Sequence, residues 1–163
     1  IFEYDANAVR LDHFLLQRCA SLTVDQRIAI VRQIAEALRY AHEKKLVHRS
    51  LSPQSILVSD TDGPSPRIQI FNWQTGAREP TTAHGYRTSG TVHADQLVED
   101  IALVYMAPKV VAGNDGAGQY ADVFSLGAIT FHLFAGRPPA TSLLQRDEML
   151  RRGRGLDLSA ALD

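Results

Sequence analysis

Between Ala121 and Phe134 the chain carries Val123, Phe124, Leu126, Ala128, Ile129, Phe131, Leu133 and Phe134, which puts apolar side chains on nearly every face of a helix. A helix that is hydrophobic all round must be buried all round, so the other elements are expected to pack about this one. Gly136 is placed to end it, and Pro138 and Pro139 stop any continuation. The same run is no membrane span: His132 interrupts it, and a bilayer crossing needs about 20 consecutive apolar residues.

A long amphipathic helix precedes it. Thr23 and Gln26 have the spacing of a capping box, in which each side chain satisfies an orphan backbone donor of the other. Val24, Ile28, Val31, Ala35 and Leu38 then form the expected buried face, with Arg27, Arg32, Gln33 and Arg39 mostly off it, and the helix runs to about His42. Leu11, Phe14 and Leu15 recur at helical spacing and predict a shorter helix. Residues 1–4 read as the end of a strand and Asp5 to Val9 as a connector. Ile56–Val58 and Arg67–Phe71 read as a hairpin, because Asp60, Asp62, Gly63 and Pro64 between them supply turn chemistry. From Asn72 to Lys109 the periodicity dissolves, apart from one turn of helix expected at Asp95 to Asp100. A last helix is expected from Leu143 to Arg151.

A chain of 163 residues has the length of one domain with a real core. A net charge of −1 offers no basic excess for nucleic acid or an acidic membrane. Arg151, Arg152 and Arg154 are read as a solvated helix end. Cys19 is alone, so neither an internal disulfide nor a cysteine ligand pair is available; no metal site is expected, and a reducing, cytoplasmic setting is. The opening Ile1-Phe2-Glu3-Tyr4 lacks the basic flank of a signal peptide, and its non-Met start points to a piece of a longer chain.

The stretch Leu46-Val-His48-Arg49-Ser50-Leu-Ser52-Pro53-Gln-Ser55-Ile-Leu-Val58 joins the long helix to the hairpin. Its spacing resembles the catalytic loop of protein kinases. Phe2-Glu3-Tyr4 resembles the hinge, Tyr105-Met106-Ala107-Pro108 the motif closing the activation segment, and Asp122-Val-Phe-Ser-Leu-Gly127 the helix that follows. Gly136-Arg137-Pro138-Pro139 resembles the next turn. With the motifs in family order over nearly the whole chain, residues 1–163 resemble the C-terminal lobe of a Ser/Thr protein kinase. The resemblance implies an α+β, mainly α fold, a helical bundle with a small β-hairpin at the cleft and the N-terminal lobe absent. Leu11–Leu15, Asn72–Thr75 and Val98–Tyr105 further resemble kinase-like domains of bacterial phage-defence proteins of the phage-growth-limitation and BREX type.

What the resemblance implies at each position is mostly loss. Ser50 stands where the family has the Asp that accepts the substrate proton, and Ser52 where it has the Lys that steadies the phosphate. Ser55 stands at the Asn ligand of Mg²⁺, and Asn72-Trp73-Gln74 replace the Asp-Phe-Gly triplet. A serine hydroxyl without an adjacent base cannot supply the ~10²–10⁴-fold of general-base catalysis. Glu3, Tyr4, Ser55, Leu57 and Asn72 are therefore degenerate ATP and Mg²⁺ positions, and no cofactor is expected in this segment, although ATP and Mg²⁺ are implied for an intact parent. His48, Arg49, Trp73 and Asp122 are structural by the same resemblance: His48 and Trp73 pack together, Asp122 accepts hydrogen bonds from the loop backbone, and Arg49 steadies the loop or pairs with a phosphorylated Thr81, Thr82, Thr88, Ser89 or Thr91. Lys109 replaces the Glu of the family's ion pair.

The preferred expectation is a pseudokinase scaffold or regulatory module, partnered by a missing N-terminal lobe, other domains of its parent and protein partners. The alternatives are an atypical active kinase that borrows Asp60, Asp62, Asp95, Glu99 or Asp100, and a helical interaction domain unrelated to nucleotide, which a missing hairpin would favour.

Overall fold

The computed structural model describes residues 7–61, 66–73, 77–78, 101–113, 118–153 and 155–159. The order is β1 (Val9–Arg10), α1 (Leu11–Arg18), a 3-10 turn (Cys19–Ser21), α2 (Val24–Glu43) and β2 (Leu46–Val47). A second 3-10 turn (Pro53–Ser55) leads into β3 (Ile56–Ser59), β4 (Arg67–Ile70) and β5 (Ala77–Arg78), followed by α3 (Pro108–Val111), α4 (Gly118–Ala135) and α5 (Leu143–Arg151).

The capping box forms: Gln26 N–H donates to Thr23 Oγ1 at 3.2 Å and Thr23 N–H to Gln26 Oε1 at 3.0 Å. The buried face of α2 is only partly the predicted one: Leu38 is buried and Val31 packs against the core, as expected. Ile30, Ile34, Leu38 and Ala41 are buried, while Val24 is 60% and Ile28 42% exposed. The helix carries two apolar stripes, and Ile28 and Ile30 lie roughly 200° apart around the axis, so periodicity alone does not choose between them. Packing chooses: α2 lies against α4, β4 and β2. Arg27, expected off the buried face, instead donates to Leu22 O, Cys19 O and Leu133 O, a cation at the carbonyl end of α4 where the helix dipole favours it.

The hairpin is present. β3 lies between β1 and β4, antiparallel to both, with Ile56 opposite Ile70 and Val58 opposite both Ile68 and Val9. Strand alternation puts Ile56 and Val58 in the core and Leu57 half-buried on the other face. Val9, read as connector, is thus strand. A second departure is β5, from the stretch read as irregular, whose Ala77 and Arg78 pair with Val47 and Leu46. Residues 101–103 and Pro108–Val111 are likewise helical. Both pairings are only two residues long and depend on distant partners, so no local pattern announces them.

Helix α4 supplies Ala128, Ile129 and Leu133 to the main core beside Ile30, Ile34, Leu38 and Leu51. It is not buried all round: Tyr120 is 84% and Val123 57% exposed, and among the described residues nothing covers that flank. Gly136 ends the helix at φ +70°, a conformation that suits glycine, and its N–H donates to His132 O at 3.0 Å.

Candidate functional site

Asp122, in the first turns of α4, is fully buried beneath the loop that follows β2. Its Oδ2 accepts from His48 N–H at 2.8 Å and its Oδ1 from Arg49 N–H at 2.7 Å. His42, the penultimate residue of α2, donates from Nε2 to Oδ2 at 2.8 Å. One carboxylate thereby joins helix, loop and helix. A buried carboxylate needs such partners to offset its desolvation. Arg49 is held at φ +67°, unusual for a residue with a Cβ, and the Asp122 bond to its own N–H fixes that conformation. His42 was absent from the residues singled out in the sequence. Its signal was available, because it extends the Ala35, Leu38 row by one turn onto the Asp122 side.

His48 is wholly buried, and its Nε2–H donates to Phe71 O at 2.8 Å. Trp73 meets its ring edge-on, with centroids 4.9 Å apart and planes at 63°. The indole N–H of Trp73 donates to Ile70 O at 3.1 Å. A phenylalanine, the family's residue here, has no donor for that bond. His48 Nδ1 is buried without a hydrogen-bond partner among the described residues. The loop, Trp73 and strand β4 are thus pinned to one another by two side chains that touch.

The serines occupy less equivalent places than their spacing suggests. Ser50 is half-buried, whereas Ser52 is 3% and Ser55 4% exposed. Ser55 Oγ donates to Ser52 O at 2.9 Å and accepts from Ser52 N–H at 3.1 Å, and Ser55 N–H also donates to Ser52 O at 3.0 Å. The hydroxyl at the expected metal-ligand position therefore closes the 3-10 turn beneath the strand, with its proton committed to the backbone. Asn72 is exposed, with φ +62°, a left-handed conformation that Asn and Asp adopt more readily than most residues. Leu57 lies half-buried on the sheet face opposite the core. Glu3, Tyr4, the five hydroxyl candidates from Thr81 to Thr91, and Asp62, Asp95, Glu99 and Asp100 lie outside the described residues, as does the expected helical turn at Asp95 to Asp100.

Chemically, the described positions offer Mg²⁺–ATP a hydroxyl already engaged in a turn and a neutral amide. Mg²⁺ is a hard cation that favours carboxylate oxygen, and these groups fit it poorly. Among the described residues no three His, Cys, Asp or Glu side chains converge as a metal set. No helix there is long and apolar enough to cross a membrane.

The family model for the protein kinase domain matches residues 1–156. The Streptomyces coelicolor protein named Probable kinase PglW is 32% identical over all of this chain, which covers 12% of that relative. The Mycobacterium tuberculosis Serine/threonine-protein kinase PknF is 36% identical over 68% of the chain and 21% of its own length. The Aurora kinase of Dictyostelium discoideum is 34% identical over 78% of the chain and 29% of its own. The chain thus spans a minor part of each of these relatives, and the PglW match meets the narrower of the two resemblances.

Proposed function

The chain belongs to the protein kinase family, and from that premise we propose that it is a pseudokinase segment: the C-terminal lobe of a kinase-like domain that serves as scaffold or regulatory module in a larger bacterial protein of the phage-defence type. The observation that carries the reading is the Ser52–Ser55 turn. The family's site needs positioning and charge neutralisation of a phosphoryl group. Here Ser50 brings no base, Ser52 no positive charge, and Ser55 holds the backbone together. The frame around them is kept, with His48 and Arg49 on Asp122 and Trp73 on His48. The likeness to PglW supports the bacterial defence setting. The helical-domain alternative loses its basis, since the β3–β4 hairpin is present and the family is shown. In this reading a lobe carrying the Gly-rich loop and Lys lies elsewhere in the parent, which has its own protein partners.

The decisive assay is Mg²⁺-dependent autophosphorylation of the intact parent protein with ATP. The unmodified protein is expected to show none, and Ser50→Asp, Ser55→Asn and Asn72→Asp combined are expected to raise transfer above that background. Robust autophosphorylation by the unmodified parent overturns the reading. It would favour the active alternative, for which the names of the relatives speak, and separate Asp60, Asp62, Asp95, Glu99 and Asp100 to Ala variants would then locate the borrowed carboxylate. Asp60 is a poor candidate: it lies at the hairpin tip beside Arg67, 3.9 Å away.

A further inference from the structure

Arg146 is 1% exposed, the largest of the fully buried side chains. Its Nη1 donates to Leu103 O at 2.8 Å and to Met106 O at 2.6 Å. Its Nε and Nη2 donate to Asp147 Oδ1 at 3.0 and 2.7 Å. The charge is thus neutralised by the next residue, and one fork of the guanidinium is left to bind two backbone carbonyls of a distant stretch. Residues 101–103 are helical, and Leu103 O lies at the carbonyl end of that turn, where a cation is favoured.

The placement is not explained by α5 itself. Arg146 falls just past the first turn after the Ser142 cap, whose Oγ accepts from Gln145 N–H at 3.2 Å. Near that end the helix dipole disfavours positive charge. Desolvating a guanidinium there is costly unless its donors are used, and the donors are used on 103 and 106. A second polar contact holds the same stretch: Tyr105 Oη and His132 Nδ1 share a hydrogen bond of 2.7 Å, with both residues buried. Tyr105 and Met106 directly precede Ala107-Pro108, and Lys109, where the family has its ion-pairing carboxylate, is exposed.

We propose that Arg146, charge-balanced by Asp147, is the clamp that positions residues 101–108 on the helical body, in place of an ion pair from position 109. The proposal is independent of whether the loop transfers phosphate. It makes the end of the long segment fixed by a buried cation and two carbonyls rather than by a surface charge.

Hydrogen–deuterium exchange on the intact protein tests this. In Arg146→Met, which keeps length and removes the donors, the amides of Tyr105, Met106 and Val110–Ala112 should exchange at least about tenfold faster, with those of Ile30–Leu38 in α2 unchanged. Arg146→Lys, which keeps the charge and some donors, should fall between the two and carries the test if the Met variant does not fold. Asp147→Asn should accelerate the same amides to a smaller extent. Acceleration shared equally by α2, or none at residues 105–112, overturns the clamp and leaves Arg146 as general support of the core.

Discussion

Asp122 shows how one side chain can settle the shape of a loop. Its two oxygens hold two successive backbone N–H groups and the ring of His42. Removing it leaves those donors buried and takes from Arg49, at φ +67°, the bond that its N–H makes in the left-handed conformation. Asp122→Ala is therefore expected to cost about 3–5 kcal/mol in chemical denaturation, in the range seen when one partner of a buried charged network is deleted. A loss under about 1 kcal/mol would mean that water replaces the carboxylate and that the loop is held some other way. Ser55 makes the converse point. Its spacing marks a ligand position, but its hydroxyl serves the Ser52 backbone, so restoring the family's Asn there inserts a larger amide at a site only 4% exposed. The Ser55→Asn variant should accordingly be less stable than the protein it came from.

For helix α2, start and length follow from local chemistry and orientation does not. Thr23 and Gln26 cap it wherever it packs. Which stripe faces inward is set by α4 and the hairpin, and the two isoleucines Ile28 and Ile34 measure the result. Ile34→Ala, at a site with no exposure, is expected to cost about 2–5 kcal/mol, and Ile28→Ala, at 42% exposure, well under half of that. Equal losses in a urea titration would restore the face read from the sequence. The hairpin was legible because β-branched runs flank a turn-rich stretch, and its register follows from putting Ile56 and Val58 inside. Strands β1 and β5 were not legible, since two residues carry no period and their partners lie 30 or more positions away: Val9 pairs with Val58, and Ala77 and Arg78 with Val47 and Leu46.

At the scale of the molecule, buried polar residues join parts that hydrophobic packing alone would leave free to slide. Asp122 ties α4 to the loop, Arg27 ties α2 to the end of α4, and His132 ties α4 to residue 105. His132 also gives the fold an acid sensitivity. Burial, partly opposed by the charge of Asp12, lowers its pKa from 6.5 to about 4. Between those values the unfolded chain binds a proton that the folded one does not, so stability is complete above about pH 6.5 and falls as pH drops toward 4. Urea midpoints taken from pH 7 to 4.5 should fall less steeply in His132→Gln, which keeps a hydrogen-bonding group for Tyr105 but no titrating group. Parallel curves for the two proteins would show that His132 does not titrate in this window.

The sequence by itself determined the main helices and the β3–β4 hairpin, the capped start of α2, the apolar α4 with its glycine end, and the identities of Ser50, Ser55 and Asn72 at positions where the resemblance implies Asp, Asn and Asp. Each is set by residues within a few positions of one another, or by the identity of a single side chain. Only the tertiary structure decided which stripe of α2 is buried, that His42 completes the Asp122 contacts, that Ser55 is a turn residue, and that Arg146 reaches 103 and 106. Those outcomes depend on where burial removes water from a polar group, and that is fixed by the packing of segments far apart in the chain, not by the spacing of residues along it.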